Sequence, residues 1–293
     1  MFDQFLQERT YLKGVSPETL RYYKCVAQAF QPILSEPTRQ GALDCIVKLR
    51  AKGVSPISVN TYVRGLNAYF MWLHKEHGKE RIKIPKLKEE QRILGTLNET
   101  DMARIIKWHF SGTSRTGNLQ RARLVALTIL DTGLRASEIL GLTTQNIDLD
   151  NLVFKVLGKG NRQRLVPFSS ELRKQLWRFI FKRDQRTEIV TSRYLFGTKN
   201  NTQVTVRNLE RDFQVLGKKV GITGVRFSPH TLRHTFAVMY LKNGGNLEYL
   251  RRILGHSSLS TTQKYLKSLG VEAIQEVHHL YSPLSAGRGN GRQ

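Results

Sequence analysis

Cysteine is scarce in this sequence: Cys25 and Cys45 are the only two in 293 residues. Two are too few for the disulfide framework of a small secreted domain, and they suit a reducing cytoplasm. Long apolar runs are missing as well. No stretch approaches the roughly 18 residues that span a bilayer, which excludes a helical membrane protein. The first ten residues, MFDQFLQERT, contain no basic region followed by an apolar one, so no secretory signal is read there. Acidic residues are few, with 23 Asp plus Glu against 47 Lys plus Arg and a formal net charge of +24. What is present in quantity is hydrophobic: 40% of the residues, including 13 Phe, 10 Tyr and 3 Trp. That content excludes a disordered basic tail. A folded, strongly basic, cytoplasmic chain remains, long enough for one large domain or two ordinary ones. Such a surplus of one sign implies a polyanionic partner, most often nucleic acid.

The surplus is spread along the chain. Residues 1–95 carry 16 basic and 9 acidic side chains, a net of +7, and residues 96–293 carry 31 and 14, a net of +17. No single tail supplies it. The first 77 residues read as helices. Lys-Gly-Val-Ser-Pro occurs at 13–17 and again at 52–56, and each copy sets a helix-ending glycine before a Ser-Pro start. A bundle of about four helices follows, with a long one from Pro56 to about His77. Residues 78–95 are charged, contain Pro85 and lack helical spacing, so a linker is placed at 85–95.

A second helical region starts near Asn98 and its apolar stripe ends at Gly133. The period then changes. Ile147, Leu149, Leu152, Phe154, Val156, Leu165 and Val166 alternate, and GKGN at 158–161 sits between two such runs as a hairpin turn. Helices are expected again at about 169–184, 205–220, 229–243, 246–254 and 271–280. The fold class is therefore mainly α with a small antiparallel β-sheet. The domains are 1–84, a helical module, and 96–282, an α+β unit. A flexible basic tail follows at 283–293.

Four segments concentrate polar chemistry: TGLRASEILGL at 132–142, GKGNRQRLVP at 158–167, HTLRHTFA at 230–237 and LGHSSLSTTQKYL at 254–266. Each is ambiguous alone. Arg135 after a helix-ending glycine is an ordinary surface arginine or an anion ligand. Lys159 in a glycine-rich turn is a solvated residue or a mobile reacting one. His230 and His234 share a helix face, as a metal pair would, but Thr231 stands where the helical zinc-protease motif needs its glutamate. The GKGN turn lacks the length and the Ser/Thr ending of a nucleotide-binding phosphate loop. No metal or cofactor is read from the chain.

Together and in this order, the segments resemble the tyrosine recombinase (phage integrase) family, most closely its Xer-type members. The pattern Arg…Lys…His-x-x-Arg…His…Tyr is intact, and His256 and Tyr265 stand nine positions apart. The resemblance spans the chain and implies a SAM-like core-binding bundle joined to a recombinase catalytic domain. It implies that Tyr265 is the nucleophile, that Arg135 and Arg233 clamp the phosphate, and that His230 helps deprotonate the tyrosine. His256 would donate a hydrogen bond to the phosphate, and Lys159 would protonate the leaving 5′ oxygen. The product would be a 3′-phosphotyrosyl enzyme formed without metal or ATP.

Those residue types suit the chemistry. Guanidinium forks match phosphate oxygens, and a phenol with a pKa near 10 needs an acceptor or a cationic pocket before it attacks. Glu138, three residues after Arg135, either orients that arginine or faces solvent. Tyr249 and Tyr281 lack the spacing to His256 and are read as packing residues.

The implied partner is a double-stranded DNA recombination site, closed upon by both domains as a clamp. The implied assembly is a homo-tetramer, or a heterotetramer with a related recombinase. Val271, Ile274, Val277 and Leu280 form an apolar strip that packs on its own domain or, as the family would have it, exchanges between protomers. Arg21, Lys24, Lys52 and Arg64 are the expected phosphate contacts of the first domain. The role is chromosome-dimer resolution or mobile-element recombination. The rival readings are a topoisomerase of the IB type and a catalytically inert DNA-binding regulator.

Overall fold

The computed structural model describes residues 1–89, 95–108, 117–158, 163–184, 194–198, 200, 202–266 and 278. The chain divides into two compact units, Met1–Arg92 and Ile93–Gln293. Each has its own core.

The first unit holds α1 (Phe2–Tyr11), α2 (Pro17–Phe30), α3 (Arg39–Ala51) and α4 (Pro56–His77). Both Ser-Pro starts behave as their sequences dictate. The Ser16 and Ser55 hydroxyls accept the Thr19 and Ser58 N–H groups, and each proline opens its helix. Aromatics fill the interior. The Phe5 ring meets Tyr23, Tyr69 and Trp72 at 5.0, 5.5 and 5.6 Å between centroids, all edge-on. The buried polar ends are matched: Trp72 Nε1 donates to Glu8 at 2.7 Å, and Tyr69 donates to the Leu34 carbonyl at 3.0 Å.

The charged stretch beyond α4 is partly built into this unit. The Asn67 amide pairs with both backbone groups of Ile84, each at 2.9 Å, and Asn60 grips Leu87 in the same way at 2.7 and 2.9 Å. Ile84 is buried. Two asparagines on α4 thus do for an extended segment what a neighbouring strand would do. Composition alone reads this stretch as a free linker because its charges mask a single buried isoleucine. Residues 90–94 lie outside the described residues.

The second unit holds α5 (Glu99–Lys107), α6 (Gly117–Thr132), α7 (Ala136–Leu140) and a three-stranded sheet, β1 (Ile147–Asp148), β2 (Val153–Leu157) and β3 (Gln163–Pro167). It continues with α8 (Ser170–Asp184), α9 (Val206–Val220), α10 (Pro229–Lys242), α11 (Leu247–Leu254) and α12 (Leu259–Gln263). The sheet order is β1-β2-β3 and both pairings are antiparallel, with Ile147 opposite Phe154 and Val156 opposite Arg164. Period-two alternation sends Phe154, Val156 and Val166 inward.

Helix α6 is the axis. It packs on α8, α9 and α10 through the fully buried Ala122, Val125, Ala126 and Ile129. Helices α7 and α12 have five residues each, too short for a period to reveal. The turn at 159–162, the expected helix at 271–280 apart from His278, and the tail at 283–293 lie outside the described residues. Among the described residues no helix is long and apolar enough to cross a membrane.

Candidate active site

The site assembles where three chain breaks meet. Helix α6 stops at Gly133, which is left-handed at φ +64°. A Cβ there would lie 2.3 Å from the Phe236 ring and 2.7 Å from Leu254, so glycine is required on both counts. Two residues on, Arg135 caps α7. Its backbone N–H donates to Glu138 Oε2 at 2.9 Å, and its Nη1 donates to Glu138 Oε1 at 3.1 Å. The same Nη1 reaches the Leu254 carbonyl at 3.2 Å.

Arg233 projects from α10. It donates from Nη1 to the Gly133 carbonyl at 2.6 Å and from Nη2 to the Leu254 carbonyl at 2.9 Å. Arg135 and Arg233 therefore share one acceptor at the C-terminal end of α11, where unpaired carbonyls and the helix dipole favour cations. Burial and the neighbouring Arg135 bring the Arg233 pKa down to about 10, against the pull of Tyr265 and Glu138. It remains charged at neutral pH. A buried cation that carbonyls orient and that makes no ion pair among the described residues is prepared for an anion.

His256 follows the Gly255 cap of α11. Its Nε2 lies 3.0 Å from Arg233 Nη2 and its Nδ1 lies 2.9 Å from Thr262 Oγ1. A guanidinium donates only, so Nε2 accepts and the ring proton sits on Nδ1, donated to Thr262. Burial and then the charges of Arg233, Arg135, Arg164 and Arg251 lower the His256 pKa to about 4. The ring is neutral.

Tyr265 comes next, half-buried, with its ring parallel to His256 at 6.2 Å and tilted against buried His234 at 5.3 Å. Arg233 lies beside its phenol. Arg135, Arg233, His256 and Tyr265 are thus brought together. His230 sits at the start of α10 and is exposed. Lys159 lies outside the described residues.

Glu138, left open between two roles by the sequence, is resolved. Its side chain is 6% exposed and binds two arginines. The second is Arg164 on β3, which the motif pattern does not contain. Arg164 grips the carboxylate bidentately, at 3.0 and 2.9 Å, and donates from Nε to the Ile253 carbonyl at 3.1 Å. A signal was available. Arg164 shares the inward face of β3 with Val166, and an arginine on a core-facing strand position demands an anion. Tyr249 corrects the packing role read for it: it is 60% exposed on α11. Tyr281 lies outside the described residues.

Arg21, Lys24, Lys52 and Arg64 are all exposed in the first unit. Arg21 stands 3.9 Å from Glu18 across one helical turn. Arg64 on α4 lies against the Tyr22 phenol of α2.

A tyrosine set beside a buried arginine at the end of a short helix, in this mostly helical fold, defines a tyrosine recombinase. The chain belongs to the phage integrase family, whose sequence model matches residues 95–270. It is 32% identical to tyrosine recombinase XerA of Pyrococcus furiosus over 260 residues, covering 87% of this chain and 85% of that one. It is 30% identical to tyrosine recombinase XerD of Pseudomonas putida over 299 residues, covering 97% of each. Among solved structures, a Tn1549 transposon integrase in complex with transposon right end DNA shares the fold. Its TM-score is 0.78 over 96% of this chain and 98% of that one, at 18% identity.

Proposed function

We propose that this protein is a site-specific DNA recombinase that cuts and rejoins strands through a covalent link between Tyr265 and the 3′ phosphate. The observation that carries the reading is the convergence of Arg135 and Arg233 on the Leu254 carbonyl, with Tyr265 beside Arg233. In this mechanism the Tyr265 oxygen attacks the scissile phosphorus, the bond to the 5′ oxygen breaks, and that oxygen leaves as a hydroxyl. Arg135 and Arg233 bind the non-bridging oxygens, whose charge grows in the transition state. His230 takes the phenolic proton, and Lys159 protonates the leaving oxygen. The ester energy is kept in the phosphotyrosyl bond, so rejoining draws on neither metal nor ATP.

His256 has a conditional part. In this structure its Nε2 accepts from Arg233. Donation to a phosphate oxygen therefore needs the ring proton on Nε2, with the Thr262 hydroxyl turned to donate to Nδ1. Double-stranded recombination sites are the substrate, bound by a tetramer in the cytoplasm, with Arg21, Lys24, Lys52 and Arg64 contacting backbone phosphates of the duplex. Exchange of the C-terminal helix between protomers would couple the four sites.

A nicked duplex whose short leaving strand diffuses away tests the mechanism, because cleavage then traps the covalent adduct. Wild type is expected to yield a band that resists denaturation and Tyr265→Phe none. An adduct that persists in Tyr265→Phe overturns the nucleophile. Relaxation of supercoils without exchange between two sites overturns recombination in favour of a topoisomerase.

A further inference from the structure

We propose that Arg164 is a positioning residue for strand cleavage. It neutralises Glu138 and so delivers Arg135 to the phosphate with its charge uncancelled. The proposal rests on the cleavage mechanism above and adds a residue that never touches the reacting atoms.

The argument begins from stoichiometry. Glu138 is a buried carboxylate. Burial pushes its pKa up, but hydrogen bonds from Arg164 and from the Arg135 backbone, with the charges of both guanidiniums, bring it below the ordinary value. It is ionised at neutral pH. One ionised carboxylate facing one arginine forms a neutral fork-to-fork pair, and an arginine so engaged has surrendered both charge and geometry.

Here Arg164 holds the fork-to-fork position. It commits all three guanidinium nitrogens, two to Glu138 and Nε to the Ile253 carbonyl. Among the described residues Arg135 commits only Nη1, shared between Glu138 and Leu254, and its side chain is 41% exposed. One carboxylate thus aims Arg135 without neutralising it, because its charge is already met by Arg164.

The backbone is shaped to receive this arrangement. Gly255 is left-handed at φ +65°, and a Cβ on it would lie 2.9 Å from Arg164 Cζ and 3.0 Å from its Nη1. The guanidinium occupies the space a side chain would take. Arg164 therefore ties β3, α7 and the end of α11 into one piece, and the next carbonyl of α11, Leu254, aligns both Arg135 and Arg233.

The test uses the full chain and the nicked duplex under single-turnover conditions at saturating protein. Arg164→Met is expected to slow adduct formation roughly 100-fold, with DNA affinity within about threefold of wild type. Arg164→Lys, which keeps the charge but loses the fork, should lose about tenfold. The decisive variant is Arg164→Met combined with Glu138→Gln, which removes the unmatched negative charge. It should regain at least about tenfold over Arg164→Met.

A double variant no faster than Arg164→Met, with rates that follow the unfolding midpoints, overturns the proposal in favour of a plain structural staple. Inorganic phosphate reads the same point without chemistry, monitored by ³¹P line broadening and corrected for binding that survives Arg135→Ala. Its affinity should fall in Arg164→Met and recover in the double variant. An unchanged affinity in Arg164→Met overturns the proposal whether or not wild type forms the adduct. A missing wild-type adduct counts only against the Tyr265 mechanism.

Discussion

Among the described residues of the catalytic unit, two arginine clusters gather around buried carboxylates, and they differ in their charge ratio. Arg121 on α6 faces Asp212 on α9 at 3.7 Å, one guanidinium to one carboxylate, with its spare donors on the Gly197 carbonyl and Asn118. The second cluster sets Arg135, Arg164 and Arg233 against Glu138 alone and fills their other bonds with the carbonyls of Gly133, Ile253 and Leu254. The carboxylates record the difference. Burial raises the Asp212 pKa and the charges of Arg121 and Arg211 do not reverse it, whereas hydrogen bonds from Arg164 and Arg135, added to their charges, hold Glu138 below its ordinary value. A balanced pair joins helices. A surplus of two cations held by carbonyls goes beyond what joining elements requires and awaits an anion, which is why burial of charge alone would not have distinguished the site.

The comparison breaks most sharply on Arg233. Arg233→Ala should slow adduct formation on the order of 10³-fold. It should lower the unfolding midpoint less than Arg121→Met does, because it removes a cation that burial and Arg135 already disfavour. Arg121→Met leaves Asp212 buried without its partner and should cost about 3 kcal/mol of stability, read from denaturant midpoints at constant slope. Its adduct rate at a permissive temperature should stay within about twofold of wild type. Arg233→Ala proving as destabilising as Arg121→Met would erase the distinction between the clusters.

Much of this was legible before any coordinates. Hydroxyl caps followed by proline marked α2 and α4, and alternation marked β2 and β3, because those signals are local. The spaced pattern from Arg135 to Tyr265 carried the family. What stayed hidden depends on contacts distant in sequence. Glu138 could not be assigned, since the partner that makes it a buried carboxylate is 26 residues away on a strand. Strand alternation put Arg164 on the face of Val166 and so hinted that it turns inward, but the carboxylate it meets appeared only once its pairing opposite Val156 fixed the register. Thr262 gave no signal, as its role comes from the turn between α11 and α12 that brings its hydroxyl under His256. The two asparagines that strap residues 84–87 to α4 were equally silent, because a side-chain amide standing in for a strand leaves no period.

His256 sharpens the comparison by pH. Its pKa of about 4 comes first from burial and then from the charges of Arg233, Arg135, Arg164 and Arg251, whereas Asp212 feels Arg121 and Arg211. The folded ring takes a proton near pH 4 and an unfolded histidine near 6.5. Between those values the unfolded chain binds more protons, so stability falls as pH falls. This one group contributes about 1.4 kcal/mol per pH unit across that window. Glu138, with its depressed pKa, adds loss in the same direction at lower pH, so the His256 share is the difference between wild type and His256→Asn. A histidine-selective ¹⁵N spectrum should show Nδ1 protonated and Nε2 bare from pH 7 down to about 5. A ring that titrates near 6.5 would mean that neither burial nor the arginine charges act on it as the structure implies.

The smallest effect belongs to the exposed cations of the first unit, which offer a third charge ratio. Arg64 has no carboxylate partner among the described residues and leans on the Tyr22 phenol, while Arg21 stands beside Glu18 with both side chains largely exposed. If each contacts one phosphate, either alanine variant should weaken duplex binding only a few-fold and reduce the slope of log affinity against log salt by about one. Arg64→Ala should show the full unit. Arg21→Ala should show the same unit at high salt but less affinity loss at low salt, because Glu18 already offsets part of that charge until screening removes it. Equal slopes for wild type and both variants would take these residues off the DNA.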